Sequence, residues 1–269
     1  MAYTNCEFIL NLKREYNAQR RGDEMKFYLL SDFMTSNYWH ENHITEYNKD
    51  WDRKEDDPLY PRFSRDQGPF CPVCHKNIRL LYPLSPLRRE IHVAKPYFGD
   101  IIAYGVEVYF SDRAKIIYEE SDLKGIEKFR EIEILKVACH NGVRKAKLPP
   151  LPTYYWCQIA VDGATWDYEK SKAIYSKPDP IICEYCKDYK GFIRGYSGLY
   201  VDESRWNGNN IFELLGIGGK IMVDESFKSW VECNNLTGAN LIPESMTSLD
   251  LKADSLESTI KKLYNGFTE

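Results

Sequence analysis

Cys71-Pro72-Val73-Cys74 and Cys183-Glu184-Tyr185-Cys186 open two similar stretches of the 269-residue chain, 112 residues apart. Downstream, Ser111-Asp112-Arg113-Ala114-Lys115-Ile116-Ile117-Tyr118 aligns with Asp224-Glu225-Ser226-Phe227-Lys228-Ser229-Trp230-Val231 at an offset of 113. Leu123-Lys124-Gly125 then matches Leu236-Thr237-Gly238. One pattern is written twice: a thiol pair, extended segments, a capped helix and a Leu-x-Gly exit. Repetition at a fixed offset points to architecture before any local signal does. A repeat that brings its own thiols predicts two pseudo-equivalent halves meeting at one four-thiolate metal site.

The local signals fill in the pattern. Ser111 and Asp224 are N-cap residues, because a short side-chain oxygen accepts from a free first-turn amide. Ala114, Ile117 and Tyr118 fall on one helix face, and Phe227, Trp230 and Val231 occupy the same places in the second copy. Ile101 to Phe110 reads as one or two strands around Gly105. Ile211 to Val223 reads as a hairpin turning at Gly216-Ile217-Gly218-Gly219. Phe8 to Leu10, Phe27 to Leu30, Ile78 to Pro83 and Tyr154 to Val161 read as further strands, with short ones at Phe192-Ile193 and Leu199 to Val201. Glu131 to Val137 alternates like an edge strand. Residues 34–68 have no clean period and read as an irregular aromatic arm. The tail from Asp254 to Gly266 has the spacing of an amphipathic helix. The expected fold class is α+β, mainly antiparallel strands with short helices, in two pseudo-repeats around a four-cysteine zinc site. The expected divisions are 1–70 for N-terminal strands and arm, 71–137 for the first repeat, 138–182 for a connecting strand region, 183–249 for the second repeat and 250–269 for a C-terminal helix.

Composition limits the function classes. Apolar residues make up 43% and charged residues 28%, an ordinary globular balance. The formal net charge of −4 gives no electrostatic footprint for nucleic acid. No window approaches the ~20 apolar residues of a membrane span. The start, Met1 to Cys6, has no basic stretch followed by an apolar run, so the expected compartment is the cytosol. There the eight cysteines are expected to be reduced.

Two-residue spacing lets both thiolates of a tight turn reach one Zn²⁺, and two such turns complete a tetrahedral four-sulfur shell. Cys71, Cys74, Cys183 and Cys186 are the expected ligands. A closed shell leaves no position for substrate, so the zinc is expected to be structural. The competing readings are ordinary thiols and a redox pair, but neither pair follows a strand in a thioredoxin-like context. His75 is an alternative ligand, and reads better as a turn residue facing solvent. His40-Glu41-Asn42-His43 lacks the i, i+4 spacing of a zinc-protease helix. Gly216 to Lys220 is no phosphate loop, since Ile221 follows the lysine where a Ser or Thr would bind the metal. No nucleophile elbow is present, and no enzyme activity is expected.

The thiol pairs, the run Trp206-Asn207-Gly208-Asn209-Asn210-Ile211-Phe212, then Asp224 to Lys228, Asn235 to Gly238 and Leu241-Ile242-Pro243, resemble the bacterial double-CXXCG motif family. That family is associated with swarming-inhibition immunity proteins of toxin–immunity systems. The resemblance covers about residues 68–245. This chain carries His75 and Lys187 where the motif has glycine. The resemblance implies a non-catalytic cytosolic protein that binds and neutralises a cognate toxin domain. Aromatic anchors and carboxylates suit capture of a basic partner, so Trp39, Trp51, Asp56, Asp57, Glu119, Glu120 and Asp122 are the candidate contacts. The rival reading is a zinc-dependent nucleic-acid-binding module, which the acidic balance disfavours.

Overall fold

A computed structural model describes residues 26–30, 42–46, 70–76, 78, 87–104, 107–160, 163–176, 181–189 and 193–250. The expected strands at 8–10 and 79–83, the C-terminal helix and most of the aromatic arm lie outside the described residues. The architecture is α+β, with two α-helices among the described residues.

Two hairpin–helix units carry the doubling. In the first, β4 (Ile101–Tyr104) and β5 (Glu107–Ser111) pair antiparallel and lead into α1 (Asp112–Glu119). In the second, β10 (Ile211–Leu214) and β11 (Lys220–Asp224) pair antiparallel and lead into α2 (Glu225–Cys233). The registers correspond: Ile101 faces Phe110 as Ile211 faces Val223. Ser111 accepts from the Ala114 amide, and Asp224 accepts from the Phe227 amide. The second hairpin has the longer loop, turned by Gly216, Gly218 and Gly219 at positive φ.

The units clasp each other reciprocally. The Ile101 amide donates to Thr237 O at 2.9 Å, and the Ile211 amide donates to Lys124 O at 3.2 Å. Asp100 accepts from the Thr237 amide at 3.0 Å, and Asn210 accepts from the Lys124 amide at 2.8 Å. Ser111 Oγ donates to Asp100 at 3.1 Å; in the other copy Asn210 Nδ2 donates to Asp224 at 2.9 Å. Donor and acceptor have exchanged strands between the copies, so each clasp stays satisfied.

Among the described residues the strands form three sheets. The first has the order β10-β11-β1-β12, with β1 at Phe27–Leu30 and β12 at Leu241–Pro243, all antiparallel. The second has the order β2-β3-β6-β7-β5-β4, with β2 at His43–Glu46, β3 at Arg88–Val93, β6 at Ile126–Cys139 and β7 at Tyr154–Ile159. A third, small sheet joins β8 (Ile174–Tyr175), β9 (Ile193–Ser197) and β13 (Ser248–Asp250). Two expectations need correction here. Residues 43–46 of the supposed irregular arm are a strand, held by pairing to β3. The alternating segment 131–137 is not an edge. It belongs to β6, whose first half pairs antiparallel with β7 and whose second half pairs parallel with β3. The alternation comes from the two faces of the strand: Ile132, Ile134 and Val137 pack on a core, while Glu131, Glu133 and Lys136 are exposed.

Among the described residues, three large cores alternate with the two larger sheets. Side chains on successive strand residues point to opposite faces. Accordingly Tyr28 and Leu30 enter the central core while Phe27 and Leu29 enter a second one, and Ile221 and Val223 part from Met222 in the same way. On the six-stranded sheet, Val108 and Phe110 face the central core while Tyr109 faces a third with Ile44, Ile91 and Trp156. Both helices bury their apolar faces in the central core through Ala114, Tyr118, Phe227, Trp230 and Val231. Trp230 stacks on Phe110 with centroids 6.0 Å apart, joining the copies directly. Strands buried on both faces need apolar residues at every position, hence the runs Phe-Tyr-Leu-Leu and Ile-Met-Val.

Candidate metal centre

Each thiol pair sits on a tight turn of one design. The His75 amide donates to Cys71 O at 3.0 Å and the Cys71 amide to Lys76 O at 2.8 Å. In the second turn the Lys187 amide donates to Cys183 O at 2.9 Å and the Cys183 amide to Asp188 O at 3.0 Å. Closing such a turn requires a left-handed residue just after the second cysteine. His75 has φ 57° and Lys187 has φ 56°, so both accept the conformation that glycine adopts without steric cost.

The two turns meet face to face. Cys71 Sγ lies 3.7 Å from Cys183 Sγ, and Cys74 Sγ lies 3.6 Å from Cys186 Sγ. All four sulfurs fall within 4.8 Å of one another. A tetrahedral Zn²⁺ with bonds of about 2.3 Å places its sulfurs about 3.8 Å apart, so the donor set fits such an ion in size and in kind. No disulfide joins the described cysteines. Outside the cluster, Lys76 pairs with Asp188, residues again 112 apart.

The electrostatics favour a cation at the centre. Burial alone would push the Cys71 thiol up, but hydrogen bonds from the Cys74 and Val73 amides and the neighbouring thiols bring it down to about 6. The Lys76 amide favours the Cys74 thiolate, yet burial and the proximity of Cys71 and Cys183 leave that thiol raised. Burial drives Cys186 far up, against a hydrogen bond from the Asp188 amide. Like charges at these distances oppose one another, so holding several thiolates together requires a positive ion among them. The cluster can therefore coordinate a metal ion.

The surroundings differ between the turns. The second turn is braced from its own repeat. Arg205 donates to Tyr185 O at 2.6 Å, and the β10–β11 tip packs on it so closely that a Cβ on Gly216 would lie 2.9 Å from Lys187 O. The sulfur cluster itself packs with Ile78 as a small apolar group, separate from the three larger cores. His75 is exposed, as expected of a turn residue.

The other candidates are scattered. Glu119, Glu120 and Asp122 are exposed around the end of α1, and Glu119 pairs with Lys115 at 2.7 Å. Trp39, Trp51, Asp56 and Asp57 lie outside the described residues. One grouping was missed from sequence. His43, His92 and His140 stack in a row, and nothing in their spacing of 49 and 48 residues announced it.

Among the described residues no helix is long and apolar enough to cross a membrane. No curated protein matches the chain. The family whose pattern does match is Imm11, an immunity protein family, over residues 88–244. The matched span begins after the first thiol pair and takes in the second, along with both hairpin–helix units. The match bears out the immunity-protein part of the resemblance that the thiol motifs carry. With more than half of its length matched, the chain belongs to the Imm11 family of bacterial immunity proteins, which are non-catalytic.

Proposed function

We propose that this protein neutralises a cognate bacterial toxin by binding it in the cytoplasm, with one structural Zn²⁺ held by Cys71, Cys74, Cys183 and Cys186. The observation that carries the reading is family membership over a span that contains both hairpin–helix units. The sulfur separations of 3.6 and 3.7 Å support zinc as the ion. The left-handed backbone at His75 and Lys187 supports kinship with the double-CXXCG pattern as well, since these two positions stand where that motif has glycine. The reciprocal clasps support treating 71–137 and 183–249 as two copies of one unit. For the contact surface, the exposed Glu119, Glu120 and Asp122 remain the proposal, together with Trp39, Trp51, Asp56 and Asp57.

Co-expression with the toxin encoded beside this gene tests the reading. The chain should rescue growth and co-purify with the toxin at one to one. Charge reversal at Glu119, Glu120 and Asp122 should slow association and weaken its salt dependence. Rescue without a physical complex would overturn neutralisation by binding. A purified chain without zinc, its fold intact, would overturn the metal.

A further inference from the structure

The imidazoles are the second concentration of chemistry in the molecule. Of five histidines in the chain, three join a tyrosine in a ladder of stacked rings. Tyr104 of β4 stacks on His43 of β2 with centroids 5.1 Å apart. His43 stacks on His92 of β3 at 4.5 Å, their planes 2° from parallel. His92 stacks on His140, just past β6, at 5.2 Å. Among the described residues, β2 and β4 are the two ends of the six-stranded order, and they approach each other without pairing. The ladder therefore runs across the seam where the curled sheet would close.

Its hydrogen bonds define one consistent set of protons. His92 Nε2 lies 3.0 Å from Glu90 Oε1 and 3.2 Å from Thr45 Oγ1. His92 Nδ1 lies 2.9 Å from His140 Nε2. A carboxylate only accepts, so His92 donates from Nε2 to Glu90 and its Nδ1 accepts from His140. Among the described residues, the groups facing the ladder include Glu90 from β3, Lys136 from β6, Thr45 from β2 and Tyr104 from β4. Glu90 is 4% exposed and is shared, since its other oxygen binds Lys136 Nζ at 2.9 Å.

We propose that this ladder is a pH-sensitive clasp. While His92 is neutral the ladder staples β2 across the seam; a proton taken up by His92 on acidification puts a charge between its two stacked neighbours and frees β2. Glu90 can stabilise one proton on the ladder, but part of its charge is already committed to Lys136. A charge on His92 is enclosed between the rings of His43 at 4.5 Å and His140 at 5.2 Å, away from the water that would stabilise it. Burial, the largest influence, lowers the affinity of His92 for a proton; His140 and Lys136 act the same way and Glu90 acts against them. The sign follows by linkage. A base whose folded value lies below its unfolded value binds fewer protons when docked. Docking is thus at full strength above the ordinary imidazole value of about 6.5 and is lost as pH falls through it.

Amide exchange of the intact zinc-loaded chain tests this at about pH 7.5 and about pH 5, which bracket the imidazole range. After correction for intrinsic rates, protection of the β2 amides that bond to β3 should fall by about tenfold. Protection in β5 and β7 should hold. His92→Phe keeps a ring in the stack but removes the imidazole that burial holds neutral, and should abolish the fall. Equal protection of β2 at both pH values would overturn the clasp. So would a fall of wild-type size in H92F, or loss of protection in all strands together.

Discussion

Gly125 and Gly238 end the two helix exits, and each lies against the other repeat's first strand. Gly125 has φ 117°, and a Cβ there would sit 1.8 Å from Ile211 O; Gly238 has φ 87°, with Ile101 O at 2.4 Å. Both need the absence of a side chain for conformation and for space. Gly125→Ala should destabilise the fold by on the order of 3–5 kcal/mol, since backbone must move to admit the methyl. Gly142 provides the contrast: its φ is 76°, but nothing lies within 4 Å of its Cβ position. Gly142→Ala should cost only the conformational penalty of about 1–2 kcal/mol. Denaturant midpoints of the two variants compare them directly, and equal losses would mean that crowding at Ile211 is relieved for free. The Leu-x-Gly exits were legible because they recur; what each glycine touches was not, since its neighbour comes from the other copy. His75 and Lys187 invert the logic. Each holds a left-handed backbone without glycine's freedom. His75→Gly or Lys187→Gly should each relieve about 1 kcal/mol, tightening metal binding by a factor of about five in competition with a chromophoric chelator.

Among the elements, the two thiol turns stand apart from the rest. Their sulfurs pack with Ile78 in a group separate from the main cores, while the hairpin–helix units hold each other through the central core and the reciprocal clasps. Stability is distributed by element, and the parts with few apolar contacts open first. Stripping the proposed zinc with a tight chelator should therefore remove exchange protection from 70–78 first. The turn at 181–189, braced by Arg205 and the β10–β11 tip, should follow. β5, β11 and both helices should keep theirs. Simultaneous collapse of every element on chelation would instead make the metal a keystone of the whole fold. Elements defined by neighbours in sequence were readable in advance: caps, helix faces and the hairpin tip all depend on residues within a few positions. β6 was misread because its two halves have partners on opposite sides, and both partners come from distant sequence.

At the scale of the molecule, three large cores alternate with the two larger sheets among the described residues, and the central core is shared by both copies. Trp230, 2% exposed, lies there between Phe110, Tyr118 and Phe227. Trp230→Ala should cost about 3–5 kcal/mol, as a large-to-small change in a packed core. The loss should appear as one cooperative transition, because the cavity borders both copies; a biphasic melt would mean that the halves fold independently. The sequence by itself determined the doubling, the α+β class, the capped helices with their buried faces and the candidate ligand set. All of these are written in local periodicity or in a repeat that can be aligned without coordinates. Only the tertiary structure decided which sulfurs face which, how each repeat's exit grips the other's first strand, and that three histidines from distant segments stack across one seam. Such contacts depend on how sheets curl and cores stack, and no spacing along the chain encodes a distance between strands that meet only after folding.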